Sequence, residues 1–460
     1  MVLVYRDRLL ASLPGTDYSW FRERELWHQQ KTLDPQFPNI LTAESAMLSV
    51  NDALAFVLAK ALQVPSESVA LTNALHRVLA VNLVTPHDSP PFDKSLMDGF
   101  AVTTAAAVAD GDQEQIRLAV VETVTAGMVP SKAVTTTNAV RIMTGATLPA
   151  NCDCVVPIER VQFDEASPDH VVIPRDAIFA EANLMRQGSA ARQGSPLLAA
   201  GTRLQPQQIA ALAEFGQATV PVYRKPTVAV LATGDELIAC DQPLRPGAIR
   251  NSNEPMLMAQ AETCGACPVS LGVARDNIAE LSMRIQQGLQ YDVLLLSGGV
   301  SAGTLDLVPQ QLAAAGVDRV FHGVDMKPGK PLWFGTRRHE SHTTLVFGLP
   351  GNPVSSLVCF ELFVRPALEK ISGIFRQPER GLVARLGQSF VVKGSRPVYQ
   401  PAVISVDAGQ LIVRPVPWNG SSDLKATVEA NGMALMSSAH GPYTAGELVS
   451  VWFWGDDRIG

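Results

Sequence analysis

Between residues 207 and 373 the sequence repeats one pattern: a short apolar run, a polar loop rich in glycine, then a helix-like segment. The runs are "TVAVLATG", "CPVSLGVAR", "DVLLLSGG", "RVFHGVDM" and "TTLVFGLPG", and the segments between them include "IAELSMRIQQGLQ" and "LVPQQLAAAG". A strand with one face in water alternates apolar and polar residues. Several of these runs do not alternate, so both of their faces must be covered. Strands alternating with helices, and buried on both sides, predict a mostly parallel, doubly wound α/β sheet. The segment "VSSLVCFELFVRPALEKISG" reads as the long helix that closes this unit.

In such a sheet, ligands bind outside the carboxyl ends of the strands. One strand here ends in Thr233-Gly234-Asp235-Glu236, and a second in Ser297 to Asp306, which holds Gly298, Gly299, Ser301 and Gly303. A third ends in Gly348-Leu349-Pro350-Gly351-Asn352-Pro353, and a fourth in Met326-Lys327-Pro328-Gly329-Lys330-Pro331. Glycines let backbone N–H groups converge on an anion, and a helix start adds a favourable field. Prolines in the fourth loop fix the backbone so that two lysines are held near one site. Any one loop also reads as a tight strand-to-helix turn; four together specify a ligand site. The acids Asp235, Glu236 and Asp306 would repel a bare phosphate. A hard cation such as Mg²⁺, bound by carboxylate and phosphate oxygens together, reconciles them.

No loop matches a P-loop or the dinucleotide G-x-G-x-x-G, which disfavours ATP hydrolysis and NAD chemistry. There is no G-x-S-x-G and no cysteine in an obviously reactive setting. The chemistry indicated is metal- and anion-assisted transfer by positioning.

At 460 residues the chain exceeds one ordinary core, and three or four domains are expected. Lysine and arginine number 37 against 44 acids, a net −7 that argues against generic duplex binding but allows a local basic pocket. No apolar run approaches the ~20 residues of a membrane helix, and the N-terminus lacks the order of a secretion signal. A cytoplasmic protein without nucleic-acid or membrane partners is the expectation. The six cysteines make no disulfide framework; Cys264-Gly265-Ala266-Cys267 and the Cys152, Cys154 pair read as reduced small hydrophobes. His339-Glu340-Ser341-His342 is one residue short of H-E-x-x-H and reads as an exposed turn. "SVNDALAFVLAKAL" starts a helix at Ser49, with Asp52 completing a capping box, and a second helix is expected near "LTNALHRVLAV". Short β-prone runs over 100–175 predict a small β domain, and those over 380–460 a small barrel or sandwich.

The strings "SGGVSAGTLD", "MKPGKP", "GLPGNPVS" and "TGDEL" resemble the molybdopterin molybdenumtransferases, the MoeA type that also forms the C-terminal domain of gephyrin. So do "PPFDKSLMDGFAV", "RIMTGATLPANCDCVVPIE" and, more weakly, "GSSDLKATVEANG"; the likeness runs from about Leu48 to about Val451. It implies an α/β multidomain fold beyond an N-terminal extension (1–45) of unassigned role. Its parts are an elongated helical domain (46–86 and 175–206), a β domain (87–174), a doubly wound αβα molybdopterin-binding domain (207–373) and a C-terminal β barrel (374–460). It further implies a homodimer whose cleft lies between the αβα domain of one subunit and the β domain of its partner. The implied reaction inserts molybdate into adenylylated molybdopterin and releases AMP, assisted by Mg²⁺. A non-catalytic scaffold of the same fold and a tungstate-inserting relative are the alternatives.

Carried over position by position, the family's catalytic residues fall on Asp93, Thr144, Glu236, Asp276, Asp306, Lys327 and Lys330. Its substrate-binding residues fall on Asp98, Gly234, Asp235, Ser297 to Ser301, Gly303, Pro350 to Pro353 and Ser421. The resemblance assigns molybdate attraction to the lysines, Mg²⁺ to Asp235, Glu236 and Asp306, and a place across the subunit boundary to Asp93, Asp98 and Thr144. Four positions depart from the pattern. Gly188-Ser189-Ala190 stands for Gly-Glu-Asp, Asn251 for an acid before Ser-Asn, Lys94 for an asparagine, and Gln400 for an arginine.

Overall fold

Six strands form the central sheet, in the order Cys267–Ala274, Thr227–Thr233, Val293–Ser297, Thr343–Leu349, Trp333–Arg338, Asp318–His322. The first four run parallel, and Trp333–Arg338 is antiparallel to both of its neighbours. The computed structural model describes residues 47–109, 111, 113–166, 168–300, 307–374, 381–392 and 394–455. The N-terminal extension, and Ser301, Gly303 and Asp306 of the second loop, lie outside the described residues.

The absence of alternation has the expected cause. Val228, Val230, Val293, Leu295, Leu345 and Phe347 join one core; Ala229, Leu231, Leu294, Leu296 and Val346, their neighbours in sequence, join a second on the other face. Every one of these side chains is essentially inaccessible, and each buried leucine or valine contributes about 1.5–3 kcal/mol. The first face carries the helices Val50–Lys60, Asn253–Thr263 and the closing helix; the second carries Ile278–Gly288 and Val308–Ala314. Ser49 caps the first of these helices, its hydroxyl accepting the Asp52 N–H at 3.1 Å. Through Ala53, Leu54 and Val57 that helix belongs to the core of the central sheet.

The closing helix is α-helical over Pro353–Cys359 and Arg365–Ile371, with a π-helical turn at Phe360–Val364. Pro366 explains the turn: it has no N–H to give to Leu362, and one extra residue per turn relieves the clash of its ring. Arg365, buried here, donates to both oxygens of buried Glu361 at 2.5 and 3.1 Å, while Gln260 donates to Glu361 at 2.8 Å.

The helix expected near "LTNALHRVLAV" does not form. Leu71, Leu75, Val78 and Leu79 have helical spacing, but only Leu71–Asn73 makes a single 3₁₀ turn and His76 takes φ +63°. Val78 and Leu79 instead bridge Arg203 and Val222, so tertiary pairing overrides the period. Three such short ladders join the two chain segments that flank the β domain: Ser66–Ala70 with Thr219–Tyr223, Leu83–Val84 with Pro196–Leu198, and Lys94–Ser95 with Leu184–Met185. The β domain is a six-stranded sheet around Phe100, Ile116, Leu118, Val171 and Ile173. The C-terminal strands close into a five-stranded barrel, settling the choice between barrel and sandwich. His339 and His342 sit in a hairpin turn, and none of the six cysteines is in a disulfide. Among the described residues no helix is long and apolar enough to cross a membrane.

At the amino edge of the central sheet, Arg224 donates to both oxygens of Asp292 at 2.6 Å each, and Thr227 adds its N–H at 2.8 Å and its hydroxyl at 2.9 Å. Burial of Asp292 opposes its ionisation, but Arg224 and Thr227 prevail and hold its pKa below the usual range. A carboxyl depressed in this way adds stability above its unfolded pKa of about 3.9, and that stability is lost as pH falls through the folded value. Asp292→Asn is therefore expected to cost about 3 kcal/mol at pH 7. Urea melts of both proteins should show the gap narrowing below about pH 4, where the wild-type carboxyl also loses its charge.

Candidate functional site

Register decides which loops meet. Ser297 lies opposite Ala232 on one side and Leu349 on the other, and Thr233 lies opposite Ala274. The strands therefore stop together, and the loops that follow them line one cleft of about 820 Å³. Gly234, Glu236, Asp276, Ser297, Gly298, Gly299 and Pro350 to Pro353 all line it. Asp235 is exposed beside it and accepts the Asp276 N–H at 3.3 Å.

The second loop must be glycine at its first turn. Gly298 takes φ +96° and gives its N–H to the Leu349 carbonyl at 3.1 Å; a Cβ there would stand 2.7 Å from the Thr233 carbonyl oxygen. The third loop is held from two sides. Pro353 opens the closing helix, where a missing N–H costs nothing. Ser356 donates its hydroxyl to the Pro350 carbonyl. Asn352 reaches the barrel: its Nδ2 donates to Ser421 Oγ at 3.0 Å and its Oδ1 accepts from the Ser422 hydroxyl at 2.9 Å. Ser421 thus supports the cleft through Asn352.

The two lysines do not line the cleft, although Pro331 beside them does. Lys330 is exposed; Lys327 is half-buried, and its backbone pairs with the barrel, donating to Pro397 at 2.8 Å and accepting from Tyr399 at 2.7 Å. Asp93, Asp98 and Thr144 stand on the β domain and none lines this cleft. Asp98 accepts both the hydroxyl and the N–H of Thr144 at 2.7 Å, and these bonds hold its pKa below the usual range. Burial opposes ionisation of Asp93, but the Gln187 N–H at 2.7 Å and Arg186 at 2.6 Å outweigh it and lower the pKa.

Two departures from the family pattern have local reasons. Gln400 is buried in the barrel wall, donating to the Val416 carbonyl at 2.7 Å, and it does not line the cleft. Asn251 donates to Glu254 at 2.6 Å and accepts its N–H at 3.2 Å; an acid there would face a second carboxylate. Ala190 is exposed and gives only its N–H, to Ser89. Nothing in the structure explains Lys94.

Sequence reading missed Asn253, which sits in "RNSNEP" two residues after the noted Asn251. It is buried, lines the cleft and donates to both Ser297 Oγ and the Gly351 carbonyl at 2.7 Å. The signal available was its place at the start of a helix facing two glycine loops.

The chain is similar to known proteins along most of its length. The family model "MoeA N-terminal region (domain I and II)" matches residues 48–216, "Probable molybdopterin binding domain" matches 229–370, and "MoeA C-terminal region (domain IV)" matches 383–454. The molybdopterin molybdenumtransferase of Bacillus subtilis is 35% identical over 390 residues, 84% of this chain and 89% of that protein. Its namesake from Staphylococcus aureus is 31% identical over 408 residues, 88% and 95% of the two chains. Among solved structures, a molybdopterin biosynthesis MoeA protein from Pyrococcus horikoshii OT3 superposes with a TM-score of 0.73 at 29% identity, covering 89% of this chain and all of that one. With a relative more than 30% identical along most of both chains, and all three regions matched in order, the chain belongs to the MoeA family of molybdopterin molybdenumtransferases.

Proposed function

We propose that this chain inserts molybdate into adenylylated molybdopterin, cleaving the phosphoanhydride and releasing AMP together with molybdenum cofactor. The observation that carries the reading is the single cleft at the carboxyl edge of the sheet. There the glycine turn at Gly298, the Gly351 loop and Asn253 meet acids on one rim. In this reading the glycine loops and Ser297 grip the pterin and its phosphate, while Glu236 and Asp276 face the nucleotide. Among the described residues no group of three or more acidic, histidine or cysteine side chains is close enough to hold a metal. Mg²⁺ takes one or two protein carboxylates and completes its shell with phosphate oxygens and water. Glu236 and Asp235, with Asp306, are the residues that would hold it, and it would supply neutralisation of phosphate charge.

The same reading makes the protein a cytoplasmic homodimer. Asp93, Asp98 and Thr144 would then close the cleft of the partner subunit. The exposed apolar Phe92, Leu96 and Met97 beside them support burial of that face. The test loads purified protein with adenylylated molybdopterin, adds molybdate and Mg²⁺, and measures AMP. Release of AMP is expected; a folded protein that binds the substrate and releases none overturns the proposal in favour of a scaffold. Competition with tungstate in the same assay separates the two oxyanions.

Lys330 supplies a narrower check. Its exposed ammonium, held on a proline-bounded loop beside the cleft, attracts a dianion in this reading. Lys330→Ala is expected to raise the molybdate concentration for half-maximal rate about tenfold, the worth of one charge-assisted contact. Unchanged molybdate dependence removes Lys330 from the site.

A further inference from the structure

Asn253 begins the helix Asn253–Thr263, yet its side chain does no capping there. Both of its amide N–H groups are committed elsewhere: one to Ser297 Oγ at the end of a central strand, the other to the Gly351 carbonyl beyond the next strand, each at 2.7 Å. A carbonyl only accepts, so Nδ2 must face Gly351, and the orientation of the amide is fixed. Its Oδ1 is left buried and without a partner among the described residues. A buried orphan acceptor is a cost that native proteins rarely keep without a reason. What the fold retains at this position is therefore the pair of donors.

These donors constrain two groups of the cleft. Ser297 Oγ already accepts from Asn253, so its own proton points away from the amide, and no acceptor among the described residues takes it. The peptide joining Gly351 to Asn352 has its carbonyl turned to Asn253, which sends the Asn352 N–H the opposite way. Gly351 lies against Gly298, where a Cβ on Gly351 would stand only 3.7 Å from the Gly298 Cα, so the clamp acts where the two loops touch. We infer that Asn253 is a positioning residue for molybdopterin: one buried amide aligns the Ser297 hydroxyl and the Asn352 N–H as donors to the ligand. This rests on the function proposed above and adds a residue to it. Neither aspartate, which has no N–H to give, nor an apolar residue of the same volume reproduces the arrangement.

The test is a double-mutant cycle on molybdopterin affinity, measured by equilibrium titration of the full-length protein. Asn253→Ala and Ser297→Ala are each expected to weaken binding about 10- to 30-fold, and the double variant to fall well short of the product of the two losses, because the Ser297 share of the Asn253 effect can be lost only once. Asn253→Asp, similar in volume but without the donors, is expected to bind at least as weakly as Asn253→Ala with unchanged circular dichroism. For both Asn253 variants the molybdate concentration for half-maximal rate should stay at the wild-type value. Additive losses, or wild-type affinity in Asn253→Asp, overturn the assignment. A wild-type protein that binds no molybdopterin overturns the proposed function instead, and this inference with it.

Discussion

Gly298→Ala is expected to reduce kcat/KM for adenylylated molybdopterin by about 100-fold or more, since a shift near 1 Å at a positioning element costs that much. Two independent constraints act on this residue. Its φ of +96° is a conformation that side-chain-bearing residues rarely adopt. The added methyl would also meet the Thr233 carbonyl oxygen at 2.7 Å and its hydroxyl at 3.0 Å, and Thr233 ends a buried strand with no freedom to retreat. The loop has to move instead, giving up the hydrogen bond from Gly298 to Leu349 and displacing Ser297 and Gly299 with it. The strands themselves stay buried on both faces, so the global transition in urea should keep its slope. Steady-state kinetics and a urea melt on the same preparation give the answer. Near-normal kinetics would mean that the turn is a connector and not a cradle.

Glu236→Ala is expected to lower the rate of AMP release about 100-fold, the loss typical of removing one preorganised charge from a transition state. Glu236 is exposed and its carboxylate folds back over Gly234, at a place where a Cβ on residue 234 would collide with it. It makes no ion pair among the described residues, and removing it leaves no buried partner behind. Thermal stability should stay within about 2 °C of the wild type, as for other surface substitutions. The Mg²⁺ concentration needed for half-maximal rate should rise at the same time. A rate unaffected by the substitution would take the metal away from this rim.

The central sheet was legible because burial on both faces leaves a trace in every residue of a strand: Val293 to Leu296 alternate between two cores and are apolar throughout. The loops were legible because glycine and proline mark backbone that cannot be ordinary. The stretch around Leu71 to Leu79 was not, since its apolar spacing satisfies a helix and a pair of edge bridges equally well. His76, with its positive φ, carries no warning in its type. Asn253 was illegible for a different reason. Its role depends on two partners 44 and 98 residues away in sequence, and only the register of the sheet brings them together. Among the departures from the family pattern, Gln400 reads differently once its burial is known, while Ala190 remains an exposed alanine in place of an expected acid.

The barrel has a consequence for how such a chain can change over time. Backbone bonds from Pro397 and Tyr399 hold Lys327, and Ser421 and Ser422 hold Asn352, so two of the four strand-end loops take their shape from a neighbouring domain. A chain cut after residue 373 would retain the sheet's hydrogen-bond ladder and lose the mould in which those loops are cast. Exchanging barrels between relatives should for the same reason transfer substrate handling along with them, and substitutions at 397–399 and 421–422 should be inherited together with those at 327 and 352.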